Sequence, residues 1–196
     1  MPHSAFRPHP WHGLSPGPDA PRTVTAYIEI TPFSVIKYEV DKASGFLKVD
    51  RPQRFSALPP TLYGFVPQTY CDRRIAALAG TPRGDGDPLD ICVVSERPID
   101  RADIILRARV IGGFLMVDDD EADDKIVAVL EGDPVYGEAA ALPPALMARL
   151  RHYFETYKLE PGKNPVRIDA VYDAERAYEV IRAAMADYSA AFNGAP

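Results

Sequence analysis

Asp85-Gly86-Asp87-Pro88-Leu89-Asp90-Ile91-Cys92-Val93-Val94 joins an acidic bend to an apolar run. Gly86 and Pro88 alternate with three carboxylates, which is turn chemistry. Residues 91–94 are apolar and largely β-branched, so 90–94 reads as a short buried strand. Three acids this close repel one another unless a cation sits among them. Hard divalent ions such as Mg²⁺ prefer oxygen ligands of this kind. The stretch therefore predicts a core strand whose leading end carries a metal-type acid set.

Downstream, 104–110 is β-rich, with Arg107 and Arg109 alternating against apolar neighbours. Residues 112–117 read as a further strand, entered through a bulge or kink at Gly112-Gly113. That strand runs into a second acidic block, Asp118-Asp119-Asp120-Glu121-Ala122-Asp123-Asp124, and 125–130 is again a strand. Upstream, 24–30 is a strand with Glu29 near its end. Residues 35–40 and 46–51 flank the turn Asp41-Lys42-Ala43-Ser44-Gly45, forming a hairpin that carries Lys37, Glu39 and Arg51. Prolines make 52–62 an extended loop, and a short helix fits around 74–79.

The last third is helical. Pro143 and Pro144 suit a helix start. Leu146, Leu150, Tyr153 and Tyr157 share one face of that helix. Residues 166–172 form a short strand, and Asp173 is the expected N-cap of a helix reaching about 192, with Tyr178, Ile181, Met185 and Tyr188 as its apolar stripe. Short strands with two late helices predict an α+β fold with a mainly β core, a small mostly antiparallel barrel flanked by helices. Residues 1–22 hold six of the twenty prolines, beside His3, His9 and His12. They predict an irregular arm, leaving 23–196 as a single catalytic domain.

Bulk properties remove several function classes. A net charge of −6 makes the surface a poor partner for nucleic acid. No apolar run approaches the roughly 18–20 residues of a membrane-spanning helix, and no basic region precedes an apolar core as in a secretory signal. Two cysteines, Cys71 and Cys92, are too few for a disulfide scaffold. They suit a reducing compartment, so a cytoplasmic protein is expected.

Acidic blocks at two strand ends can meet on one barrel rim and hold several divalent ions. Lys37, Arg51, Lys125 and Lys158 lie beside strand or helix ends, accompanied by Tyr63 and Tyr157. Acids for metals, cations for phosphoryl oxygens and hydroxyls as neutral donors describe a phosphate-transfer site.

The ordered motifs resemble those of family I soluble inorganic pyrophosphatases. Asp85 to Asp90 matches the family's D-x-D-P-x-D signature. Glu29 matches the acid of "IEI", Lys37-Tyr38-Glu39 matches "KYE", and 41–45 with Val49-Asp50-Arg51 matches "DKxSG…VDR". Tyr63-Gly64 matches "YG", Asp118, Asp123 and Lys125 match "D…D-x-K", and Tyr157-Lys158 matches the late "YK". The resemblance covers roughly residues 24–185. It implies a five-stranded OB-like barrel with helices outside, and hydrolysis of diphosphate to two orthophosphates by direct attack of a metal-activated water. It further implies that Asp85, Asp90 and Asp123 hold an activating Mg²⁺ pair, that Asp118 shares a further ion with Asp123, and that Glu29 serves a peripheral one. Mn²⁺ is the expected substitute. Asp87 is the implied general base. Lys37, Arg51, Tyr63, Lys125, Tyr157 and Lys158 are the implied phosphate ligands, and Glu39 an orienting charge. A homo-oligomer is expected, because the family includes hexamers and dimers.

Two features depart from compact bacterial members. Pro59 stands where a tyrosine is common, and Thr69 to Gly84 is longer. The competing readings are a phosphohydrolase acting on polyphosphate or nucleotides, which lacks support from any P-loop, and a nonenzymatic OB-type binding module. The latter needs a basic, aromatic groove, whereas this rim is acidic.

Overall fold

The computed structural model describes residues 7–192 except 55, 140, 160 and 164. The chain runs β1 (Thr23–Ile30), β2 (Ile36–Val40), β3 (Leu47–Pro52), β4 (Leu62–Phe65), α1 (Arg73–Ala79), β5 (Arg83–Gly84), β6 (Asp90–Val94), β7 (Ile104–Asp118), β8 (Glu121–Ala122), β9 (Lys125–Leu130), α2 (Pro144–Thr156), β10 (Val166–Asp173) and α3 (Ala174–Phe192).

Five strands close into a ring. Their order is β1-β4-β6-β9-β7, and β7 pairs back onto β1. Closure leaves no free edge within the ring, which is how a small barrel avoids exposed ladder groups. Four of the pairings are antiparallel, and β6 with β9 is parallel. That parallel pair sets Asp90 opposite Lys125, so the leading ends of both strands open on the same rim.

The sequence divides 104–117 into two strands, but the structure joins them as the single 15-residue β7. The expected irregularity is present as a register shift against β9 between Val110 and Gly112. A Cβ at Gly112 would press on the Tyr172 carbonyl, so this close approach of β10 needs glycine. The first half of β7 pairs with β1 and closes the ring, while the second half pairs with β10.

The main core fills the ring with Val24, Ile28, Ile91, Val93 and Ile126, capped by Ile75 of α1 and by Tyr178, Ile181 and Ala184 of α3. On the other side, α2 buries Leu150, Tyr153 and Phe154 against Phe114, Met116 and Val127. Asp173 accepts the Arg176 N–H at 3.1 Å, as expected of a residue opening α3. Tyr157 lies one residue beyond α2 but remains buried, as the helix-face pattern anticipates.

The described part of the arm packs down without forming a helix or strand. Trp11 is buried, donates its indole N–H to the Thr69 carbonyl at 2.8 Å, and stands among His12, Tyr70, Tyr188 and Phe192.

Candidate active site

Local structure aims the acids. Gly86 takes φ 73°, a left-handed conformation that L side chains rarely adopt, and this folds Asp85 and Asp87 into one bend. The Asp87 N–H donates to Asp85 Oδ1 at 3.0 Å. Backbone bonds from Gly86 to the Cys71 carbonyl and from Cys71 to the Asp87 carbonyl pin the bend to the 69–72 segment. The second block reverses through Asp119 and Asp120, both at positive φ. Aspartate tolerates that conformation better than most residues. The reversal leaves Asp118 at the end of β7 and Asp123 two residues before β9.

The two acidic blocks meet. Every expected site residue except Arg51 lines one cavity of roughly 230 Å³. Arg51 lies in an adjoining cleft, and Lys158 lines both spaces. The Lys125 ammonium is almost wholly buried and donates to both Asp90 and Asp123. The Tyr63 hydroxyl donates to Asp90 at 2.5 Å. The β4–β6 register explains this reach, because Phe65 faces Asp90 and Tyr63 sits two residues along the same strand. Lys158 donates to Asp118 from the segment after α2. On the hairpin, Lys37 donates to Glu39 and, at 3.0 Å, to Asp50.

Protonation follows burial and crowding. Burial, reinforced by Asp123, pushes the Asp85 carboxyl well above the usual range. Burial also raises Asp90, with Lys125 opposing it and Asp123 adding to it. Asp123 is equally buried, yet the Lys125 ammonium holds it below the usual range. Burial works against the charge on Lys125, but Asp123 and Asp90 more than compensate and raise its pKa. Tyr63 and Tyr157 are raised by burial and by neighbouring carboxylates, so both remain O–H donors at neutral pH. Burial pushes Glu29 up to about 8, against the pull of the Val40 N–H that it accepts at 2.6 Å.

The donor set fits divalent cations. Among the described residues no three such side chains already form a ready cage, since Lys125 stands between Asp90 and Asp123. The carboxylates are nonetheless crowded, mutually repelling oxygen donors, with Asp123 and Glu29 buried and Asp85, Asp90 and Asp118 half-buried. One oxygen of Asp118, Oδ1, is buried without any hydrogen-bond partner. Buried oxygens left unsatisfied in this way suit a hard ion.

The matching family model, described as inorganic pyrophosphatase, spans residues 26–189. The chain belongs to this family. Curated relatives include the inorganic pyrophosphatase of Chlamydia trachomatis, 45% identical over 92% of this chain and 93% of that protein. Another is soluble inorganic pyrophosphatase 4 of Arabidopsis thaliana, 38% identical over 96% of this chain and 83% of its own length. Among solved structures, the inorganic pyrophosphatase of Thermus thermophilus superposes with a TM-score of 0.80 at 32% identity, covering 92% of this chain and 99% of that one. Membership brings the OB-like barrel expected from the motifs, and the closed ring of β1, β4, β6, β9 and β7 is its counterpart here. It also makes the chain a member of a metal-dependent hydrolase family.

Lys42, Trp11 and Tyr153 are among the cavity residues that were not singled out from sequence. Lys42, read only as part of a turn, donates to Asp87. Its position in "DKxSG" was the available signal. Trp11 of the arm lines the same cavity. Tyr153, read as part of the apolar stripe of α2, also reaches it. Periodicity identifies a buried ring but not the direction of its hydroxyl.

Proposed function

We propose that the chain hydrolyses inorganic diphosphate to two orthophosphates, with residues 23–196 acting as one catalytic domain. The observation that carries this reading is a single cavity that gathers carboxylates of both acidic blocks with Lys37, Lys125, Lys158, Tyr63 and Tyr157, in a chain of this family. Asp85, Asp90 and Asp123 would hold Mg²⁺, with Mn²⁺ as substitute, and Asp118 and Glu29 would serve further ions. Bound cations neutralise phosphoryl charge and lower the pKa of a coordinated water.

The chain's own residues handle the rest. Lys37, Arg51, Tyr63, Lys125, Tyr157 and Lys158 donate to phosphoryl oxygens and orient the substrate. Tyr153 supplies one more hydroxyl-bearing ring to the cavity lining. Asp87, between two ligand acids, accepts the proton of the attacking water as the new P–O bond forms. The bridging P–O bond breaks and orthophosphate leaves. Lys42 donates to Asp87 and holds its carboxylate in position, and Glu39 holds Lys37 in place.

Phosphate release from diphosphate with Mg²⁺ tests the reading, and no release by the parent protein overturns it. Asp87→Asn is expected to lower kcat by roughly 10²–10⁴; an unchanged kcat removes Asp87 from the role of base. A panel including nucleotides and longer polyphosphates separates diphosphate from other phosphoanhydrides. Salt-sensitive binding of single-stranded nucleic acid would favour the OB-type binding module, but the acidic cavity argues against it.

Buried, unpaired Cys71 and Cys92 suit a reducing cytoplasm. Among the described residues no helix is long and apolar enough to cross a membrane. The chain acts as a homo-oligomer in this reading, which sedimentation tests.

A further inference from the structure

Residues 9–13 of the arm touch both segments that bring Lys42 to Asp87. The Lys42–Asp87 pair is itself exposed, with 58% of the Lys42 side chain and 48% of the Asp87 side chain open to solvent. Water screens such a pair, and the flexible lysine stem holds a carboxylate only weakly. The positions of the two side chains therefore depend on the backbone that carries each one.

His9 meets the Lys42 side. Its Nδ1 accepts the backbone N–H groups of Trp11 at 3.2 Å and His12 at 3.4 Å. A ring nitrogen that accepts carries no proton, so the imidazole N–H is on Nε2. Nε2 lies 3.2 Å from the Lys42 carbonyl and donates to it. The Gly13 N–H closes the arm's turn on the His9 carbonyl at 2.7 Å. His9 and Pro10 also lie against Gly45, where a Cβ would come to 2.8 Å from the His9 ring and 2.9 Å from Pro10. The arm and the 41–45 turn are thus packed as one unit.

Trp11 meets the Asp87 side. Its indole N–H donates to the Thr69 carbonyl at 2.8 Å, and its own carbonyl accepts the Gln68 N–H at 2.9 Å. The Thr69 hydroxyl in turn accepts the Leu89 N–H at 2.9 Å, and the Cys71 N–H donates to the Asp87 carbonyl at 2.9 Å. The 68–71 segment therefore links Trp11 to the acid bend. Trp11, Lys42 and Asp87 all line the main cavity.

We propose that His9 and Trp11 are positioning residues, a clamp that sets the proton-accepting carboxylate. His9 fixes the turn that carries Lys42, and Trp11 fixes the segment that carries Asp87. Both act through these neighbours and not on the reacting atoms. The inference rests on Asp87 accepting the proton as set out above, and it gives the arm a part in turnover.

The test follows kcat and KM of the full-length protein for diphosphate with Mg²⁺. His9→Asn isolates the link to Lys42. The short amide keeps an acceptor that caps the arm's own turn, but it falls short of the Lys42 carbonyl. The expected result is a kcat lower by about fivefold, the loss of one hydrogen bond expressed as a rate, with KM unchanged to within about twofold. Emission from Trp11, the one tryptophan of the chain, stays as in the parent. In a Lys42→Met background the same substitution changes kcat by less than about twofold, because its effect passes through the Lys42 ammonium. An equal loss in both backgrounds is the mark of general loosening and overturns the proposal. So does a change below about twofold in the otherwise unaltered chain. Where His9→Asn frees the arm, seen as red-shifted emission, the comparison of the two backgrounds decides in the same way. Trp11→Phe keeps a ring but loses the N–H to Thr69, and kcat is again expected to fall by about fivefold. A lower melting temperature with kcat unchanged removes Trp11 from the clamp. Failure of the function reading is separate, and appears as no phosphate release by the parent chain.

Discussion

Replacing Lys125 with Met is the sharpest perturbation of this site. Lys125 is about 1% exposed, and its ammonium bridges buried Asp123 and half-buried Asp90 in the wall of the cavity. Met fills much of the same space, so the change removes charge and hydrogen bonds more than volume. Removing one partner of a buried ion pair costs about 3–5 kcal/mol, because the remaining charge is left uncompensated. Asp90 keeps the Tyr63 hydroxyl at 2.5 Å, which points to the lower end, about 3 kcal/mol. For a domain of this size that is a drop of about 6–12 °C in melting temperature. The assay is denaturant unfolding of parent and variant with chelator present.

The pH dependence follows from the signs. Lys125 is raised in the folded state, so its contribution is complete below the unfolded value of 10.5. Asp123 is lowered, so its contribution is present above 3.8 and lost as pH falls. The deficit of the variant is therefore largest near neutrality and shrinks in acid. Added Mg²⁺ narrows the gap, since a cation can compensate the freed carboxylates. Activity falls by roughly 10²–10³, the cost of losing one preorganised donor. Equal stability of the two proteins in chelator, within about 0.5 kcal/mol, would refute the view that Lys125 neutralises this wall.

Other expectations are independent of that one. Gly64→Ala would drive a Cβ into the Tyr27 carbonyl across the β1–β4 pair, so unfolding free energy falls by more than about 3 kcal/mol, measured by urea titration. His12 is lowered from 6.5, by burial and then by His9, so the folded state takes up fewer protons than the unfolded one and the arm's stability is lost as pH falls through that range. Trp11 is the one tryptophan of the chain and stacks on His12 at 4.4 Å, so its emission should shift red between pH 7 and 5; a His12→Asn variant that keeps the same shift would discount the histidine. Asp133 accepts the backbone N–H groups of Glu96, Val135 and Tyr136, so Asp133→Ala costs about 1–3 kcal/mol at neutral pH in chemical denaturation. That penalty fades in acid, because the Asp133 carboxyl is lowered below 3.8, where its contribution is lost. Lys42→Gln breaks an exposed pair with Asp87, so stability changes by less than about 1 kcal/mol while kcat changes. A change confined to thermal stability would count against a role for Lys42 beside the base.

Sequence by itself determined much of this protein. An apolar, largely β-branched run located β6, proline and the apolar stripe located α2, and Asp173 marked the start of α3, because strand propensity, turn chemistry and helix capping are local properties. The acidic blocks and their partner cations were legible as motifs for the same reason. Tertiary structure alone decided how they meet. The parallel β6–β9 register put Asp90 opposite Lys125, and a register is a choice among long-range pairings that no local pattern encodes. One bent strand, β7, replaced two, because both halves find partners only once the ring closes and β10 returns. Lys42 reached Asp87, Trp11 entered the cavity wall and Arg51 turned into a cleft of its own through contacts between segments far apart in the chain. The divergent protonation of Asp85 and Asp123, similar carboxylates in sequence, comes from burial and from the distance to one ammonium, quantities that exist only in the folded molecule.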